Sequence, residues 1–229
     1  MPIAVPYLTP LGLRWQERRR PDLLWRLPTT EREVALTIDD GPSAKYTPAV
    51  LEALAEAGVK ATFFVLGDRC LAFPEMLEEM ARQGHGIALH GDTHQAFTDR
   101  KGMIIKDRLA RNRMAILPEN VLPLFRPPFG KWRRGDSAWI HRLVNCSILP
   151  GDLVLQGGGT AWVEDPRRCA ERVRRELHPG AIIALHCSER LGTGGFADHG
   201  IFETPRAAEV VREVCRVINE EKRKATLIK

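Results

Sequence analysis

The feature that most restricts the fold is a repeated order along the chain: a short apolar run, a turn, then an amphipathic segment with helix punctuation. Val34–Ile38 reads as a strand, Gly41-Pro42-Ser43 as a turn, and a helix from about Thr47 has Pro48 at its first position and Gly58 past its end. Ala61–Val65 is the next strand, Pro74–Gln83 a helix stopped by Gly84, and Gly86–Leu89 a strand again. Helices follow over 103–116 and 136–143, with strands at Leu122–Phe125 and Leu143–Ile148. A helix over 166–177, the strand Ala181–Leu185, a helix over 205–221 and a closing strand Ala225–Ile228 complete the chain. About seven strands separated by helices require a parallel sheet, because parallel neighbours are joined by crossovers and not by tight hairpins. Closed on itself, such an α/β sheet is a barrel whose chemistry collects at the C-terminal ends of the parallel strands. Reactive side chains are therefore expected just after strands.

Two strand ends carry a cluster of possible metal ligands. Thr37-Ile38-Asp39-Asp40-Gly41 puts adjacent carboxylates on a tight turn, where without a cation they repel and one pKa rises. Leu89-His90-Gly91-Asp92-Thr93-His94 spaces two imidazoles at i, i+4, which suits one metal if the segment makes a helical turn. Either motif alone has an ordinary explanation as a turn or cap. Together, each at a strand end, they favour a metal site between the carboxylate pair and the two imidazoles.

Two further strand ends add chemistry. In Phe125-Arg126-Pro127-Pro128-Phe129-Gly130, Arg126 can hold a carboxylate bidentately, and the proline pair stiffens a backbone whose following N–H can be aimed at an oxyanion. Ile182-Ile183-Ala184-Leu185-His186 is a buried strand delivering one imidazole at its end. Considered alone, Arg-Pro-Pro is a rigid loop and His186 a satisfied rim histidine.

Composition bounds the remaining possibilities. Hydrophobic residues at 44% and charged residues at 28% fit a globular domain and favour neither disorder nor a fibrous repeat. The net charge is +5, but the Arg runs at 18–20, 167–168 and 172–175 read as solvated faces and no recognition motif for nucleic acid accompanies them. Five scattered cysteines without CxxC spacing argue against a disulfide framework and favour a reducing compartment. The start of the chain lacks a basic stretch followed by an apolar core, and no apolar run approaches the roughly 20 residues needed to span a bilayer. The chain as written is thus expected in the cytoplasm, or outside it if a leader has been removed. Neither a membrane span nor a nucleic-acid partner is expected, and the oligomeric state is left open.

The four strings TIDDG at 37–41, HGDTH at 90–94, RPPFG at 126–130 and IIALH at 182–186 occur in the order and approximate spacing of a known family. Over about residues 33–229 the chain resembles the polysaccharide deacetylases, also called carbohydrate esterase family four or the NodB-homology domain. The stretches Gly58–Gly67, Gly84–Ile87 and Ala225–Ile228 are similar to that family as well. The resemblance implies a distorted (β/α)7 barrel. Residues 1–31, rich in Pro, Arg and Trp and without clear periodicity, read as an N-terminal arm laid across the domain, which leaves 32–229 as the deacetylase-like catalytic domain.

It also implies roles. Asp40, His90 and His94 would bind a divalent metal, usually Zn2+, with others such as Co2+ able to serve. Asp39 would be the general base, Arg126 its partner, and the Phe129 backbone N–H an oxyanion donor. His186 would protonate the departing amine, supported by Asp152. The implied substrate is an acetylated glycan or oligosaccharide containing N-acetylglucosamine. The chain departs from the family pattern at Gly91 (usually Ser or Thr), Phe129 (usually Tyr), Cys146 and Leu153 (usually Trp) and Cys187 (usually Asp). The missing tryptophans keep open an amidohydrolase acting on a non-sugar amide, imide or ureide. A non-catalytic metal- or glycan-binding protein is the third reading, although binding alone does not require the base and the acid. His85 and Asp92 are expected to be structural, the Gly157–Thr160 stretch and residues 188–204 to be loops near the site, and Trp132, Trp139 and Trp162 to pack or to stack on sugar rings.

Overall fold

A computed structural model of the chain describes residues 18–19, 23–94, 121–130, 142–144, 146–148, 154–156, 160–162, 165–188 and 204–228. Its elements run β1 (Leu23–Leu24), β2 (Glu33–Asp39), α1 (Thr47–Ala57), β3 (Ala61–Val65), α2 (Gly67–Ala72), α3 (Pro74–Arg82), β4 (Gly86–Leu89) and β5 (Val121–Phe125). After a 3-10 turn at Pro128–Gly130 come β6 (Arg142–Val144), β7 (Val154–Gln156), β8 (Thr160–Trp162), α4 (Pro166–Glu176), β9 (Ala181–His186), α5 (Ala207–Glu220) and β10 (Lys224–Ala225).

The α/β barrel expected from the sequence is present. Parallel ladders join β6, β5, β4, β3, β2 and β9 in that spatial order. The ring closes irregularly. The Ser147 and Ile148 N–H groups both donate to the Ile182 carbonyl, at 3.0 and 3.1 Å, and the Ala184 N–H donates to the Ile148 carbonyl at 3.0 Å. The chain running on from β6 thus reaches β9. The Ser147 hydroxyl helps at this seam by accepting the Ile182 N–H at 2.9 Å.

Strand alternation sorts the side chains into two cores. Ala35, Phe64, Ala88, Leu124, Ile182 and Ala184 form an inner cluster. Val34, Leu36, Ile38, Phe63, Ile183 and Leu185 belong to a larger cluster shared with the helices. Each large apolar side chain so buried contributes about 1.5–3 kcal/mol. Helix α5 supplies Val210, Val211, Val214 and Ile218 at helical spacing, and α4 adds Cys169 and Val173. The start of α4 is capped by Asp165, whose carboxylate accepts the Arg167 and Arg168 N–H groups. The inner cluster is smaller than the outer one, and its inward positions nearest the C-terminal rim are polar.

Several local expectations need revision. The helix α2 was not anticipated between β3 and Pro74. The closing strand is only Lys224–Ala225, although the Thr226 N–H still donates to the Val34 carbonyl at 2.9 Å. Of the helix expected over 136–143, residues 142 and 143 are strand, because they pair with β5. Its other residues, and the helix expected over 103–116, lie outside the described residues. Thr160, read as loop, begins β8, which pairs antiparallel with β7. Within the stretch read as an arm, Leu23–Leu24 pairs in parallel with β6, and the Leu27 N–H donates to the Gly180 carbonyl at 2.8 Å.

Candidate metal centre and active site

Asp39 ends β2 at an inward-facing position, so alternation would point Asp40 the other way. Instead Asp40 takes φ 75°, a left-handed conformation that Asp tolerates better than most residues. Its N–H keeps the ladder, donating to the Phe64 carbonyl at 3.2 Å, while its carboxylate meets two imidazoles. Asp40 Oδ1 lies 3.2 Å from His90 Nε2 and 3.4 Å from His94 Nε2. One ligand atom from each of the three residues falls within 4.8 Å of the others, and all three residues are buried.

The donor set suits a divalent cation. His90 Nδ1 lies 2.8 Å from the Arg126 carbonyl, which can only accept, so Nδ1 carries a hydrogen and Nε2 is the ring atom turned towards Asp40. Burial lowers the His94 pKa from its ordinary value, only partly offset by Asp40, and this favours the neutral, ligating form. Burial would raise the Asp40 carboxyl, but His94 and His90 reverse that and hold it well below the usual carboxylate range. A carboxylate and two imidazoles make an oxygen–nitrogen set fitting Zn2+ or a similar ion.

Beside this cluster, Arg126 Nη1 donates to Asp39 Oδ1 at 2.6 Å and to Thr37 Oγ1 at 2.7 Å. The Thr37 hydroxyl donates in turn to the Ile183 carbonyl at 2.8 Å. The Phe64 ring packs beneath the guanidinium, its centroid 4.1 Å from Cζ. Arg126 therefore serves two groups at once: its carbonyl orients His90 and its guanidinium holds Asp39. His186 is half-buried at the end of β9, in register with Asp39 on β2. Phe129 has φ 58°, is 45% exposed, and packs its ring 4.4 Å from that of His94. Asp152, Trp132, Trp139 and the Trp162 side chain lie outside the described residues.

The unanticipated helix α2 ties the two ligand loops together. Three consecutive N–H groups, from Leu66, Gly67 and Asp68, donate to the carbonyls of Gly41, Gly91 and Asp92 at 2.9, 2.9 and 2.8 Å. Gly91 has φ 103°, a conformation side chains with a Cβ rarely adopt, which accounts for glycine in this version of the loop. Asp92 braces the same loop, accepting the Thr93 N–H at 2.9 Å, and stands apart from the ligand cluster. His85 is buried, with Nδ1 accepting the Ala61 N–H at 3.2 Å. Cys187 is buried outside the ligand cluster, its Sγ 3.5 Å from Thr47 Oγ1. Cys146 lies in the inner core. Of the segment 188–204, the two ends are clasped: the Ser188 N–H donates to Thr204 Oγ1 and the Thr204 N–H to the Ser188 carbonyl.

Comparison with known proteins gives a consistent result. The model of the family described as polysaccharide deacetylase matches residues 26–139. A chitooligosaccharide deacetylase of Bradyrhizobium sp. is 32% identical over 162 residues, which cover 68% of this chain and 70% of that protein. A peptidoglycan-N-acetylglucosamine deacetylase of Bacillus cereus is 36% identical over 118 residues, but that match spans 49% of this chain and only 42% of the relative. Among solved structures, the Bc1960 peptidoglycan N-acetylglucosamine deacetylase superposes with a TM-score of 0.76 at 21% identity, covering 94% of both chains. BA3943 of Bacillus anthracis, described as a pseudoenzyme of carbohydrate esterase family four, superposes with a TM-score of 0.70 at 22% identity, over 90% of this chain and 67% of that one. A protein described as a deacetylase and one described as a pseudoenzyme thus share this fold, and the site residues must carry any argument about activity.

Proposed function

The chain belongs to the polysaccharide deacetylase family, and from that premise we propose that it hydrolyses N-acetyl groups from glycans or oligosaccharides containing N-acetylglucosamine. The observation that carries the proposal is the pairing of buried Asp39 with Arg126 beside the Asp40, His90 and His94 cluster. A protein that only binds a glycan has no need of a carboxylate held ready next to a metal-ligand set.

Asp40, His90 and His94 would hold the ion, with Zn2+ the first candidate. When bound there, a divalent ion supplies Lewis acidity that brings the pKa of a water molecule towards neutrality. Asp39, fixed by Arg126 Nη1, takes the proton from the attacking water. The Phe129 backbone N–H donates to the oxygen that gains negative charge as the acyl carbon becomes tetrahedral. His186, in register with Asp39 on the neighbouring strand, gives a proton to the nitrogen, because an amine leaves poorly as an anion. Asp152 would steady the protonated His186.

Peptidoglycan and chito-oligosaccharides are the substrates of the named relatives and share N-acetylglucosamine, so the acetamido sugar is the common denominator. The test is acetate release by the zinc-loaded chain from chito-oligosaccharides of several lengths and from peptidoglycan, with non-sugar amides and imides assayed in parallel. Release from the glycans that stops on chelation is the expected result. Turnover of the non-sugar set alone would move the chain to a different substrate class, and no turnover with tight glycan binding would make it a binding protein.

A further inference from the structure

Thr37 precedes Asp39 by two residues on β2, so strand alternation turns both side chains into the barrel. It is fully buried, and the direction of each of its hydrogen bonds is dictated by its partner. A guanidinium only donates, so the Thr37 hydroxyl accepts from Arg126 Nη1 at 2.7 Å. Its single hydrogen is then committed to the Ile183 carbonyl at 2.8 Å. Nη1 carries two hydrogens and has two acceptors here, Thr37 Oγ1 and Asp39 Oδ1. The Phe64 ring fixes the face of the guanidinium, and the two acceptors fix its rotation.

We propose that Thr37 is a positioning residue for the deacetylation argued above. Its hydroxyl is a one-way link that ties Arg126, and through it the Asp39 carboxylate, to the backbone of β9. That strand also carries His186, three residues beyond Ile183. The base and the proton donor are thereby braced to the same piece of backbone. A general base works only within hydrogen-bonding reach of the proton it takes, so a guanidinium free to rotate would cost rate more than substrate affinity.

The inference rests on the deacetylase reading, and its test separates the two. Thr37→Val keeps the shape and removes the hydroxyl; Thr37→Ser keeps the hydroxyl. With the full zinc-loaded chain, Thr37→Val is expected to lower kcat about 10- to 100-fold, the scale of a lost hydrogen bond to a charged group, with KM changed less than about threefold. Thr37→Ser should stay within about threefold of wild type, and bound zinc should be the same in all three. In an Arg126→Lys background, Thr37→Val should cost less than about twofold, because the partner it acts through has already been changed. Wild-type kcat in Thr37→Val, or an equal loss in both backgrounds, overturns the proposal. If the wild type releases no acetate from any glycan, the function reading falls by itself. Crystal structures then decide the link: it stands if the Arg126–Asp39 contact parts in Thr37→Val and survives in Thr37→Ser, and falls if the contact is unchanged in Thr37→Val.

Discussion

Asp39 and His186 are register partners across the β2–β9 ladder, the last pair of a parallel run that begins with Val34 and Ala181. In such a ladder, partners project from the same face of the sheet, so a carboxylate and an imidazole arrive together at the barrel mouth without help from any loop. If one takes a proton and the other gives it, neither can be spared. Asp39→Asn and His186→Ala are each expected to reduce kcat by about 10²–10⁴-fold, measured as acetate release with zinc saturating. A loss under tenfold for either would remove that residue from the mechanism.

The ligand set can be tested without substrate. Asn accepts the left-handed backbone of Asp40 nearly as well as Asp does, so Asp40→Asn changes the charge and leaves the turn in place. Atomic absorption should show about one zinc per chain in the wild type, as a three-ligand site demands, and much less in this variant at equal free zinc. Full occupancy in Asp40→Asn, with an unchanged dissociation constant, would mean the ion sits elsewhere.

His85 gives a pH-dependent stability. Burial lowers its pKa to about 4 from the ordinary 6.5, with Lys60 adding to the effect, and the neutral ring accepts the Ala61 N–H. The unfolded chain therefore binds the proton more readily than the folded one. Stability from this group is complete above about pH 6.5 and is lost as the pH falls towards 4. The gap amounts to at most about 3.5 kcal/mol at roughly 1.4 kcal/mol per pH unit. Urea midpoints measured from pH 7.5 to 4 should fall more steeply in the wild type than in His85→Leu. Parallel slopes would assign the acid sensitivity to other groups.

Two glycines with similar backbones separate strain from collision. Gly58 has φ 65° with nothing within 4 Å of an added Cβ; Gly180 has φ 77°, but its Cβ would lie 2.6 Å from the Leu27 carbonyl oxygen. Gly58→Ala is expected to cost about 1 kcal/mol, the left-handed penalty alone. Gly180→Ala must also push the 23–27 segment off the sheet, and should cost at least about 2 kcal/mol more. Thermal melts of the two variants test this; equal losses would show that the Leu27 contact yields freely.

The strands that end at the candidate site are legible because each is a run of mostly apolar residues ending abruptly in a titratable side chain, as in Val34–Asp39 and Ala181–His186. Helix α2 left no such trace. Its six residues begin with Gly67, and its hold on the fold comes from backbone bonds to residues 91 and 92, which no local pattern reports. The β6 seam was misjudged for a related reason. Among the described residues Arg142 and Leu143 pair with β5, while Ser147 and Ile148 lie against β9, where a serine hydroxyl supplements the ladder. Among the described residues β7 and β8 pair with each other, and they flank a glycine run that reads as loop. Thr37 stood inside a motif already singled out, yet it gained no role there, because its partners lie 89 and 146 residues away. Sequence reading singles out candidate ligands at strand ends more readily than side chains whose partners are distant in the chain.

The left-handed turn at Asp40 constrains how this site can change over evolutionary time. The backbone there admits only a few residue types before any metal is considered, chiefly Asp, Asn and Gly. A lineage with no use for a cation here would therefore be free to replace the two imidazoles widely, while this one position drifted within a narrow set that the backbone alone dictates.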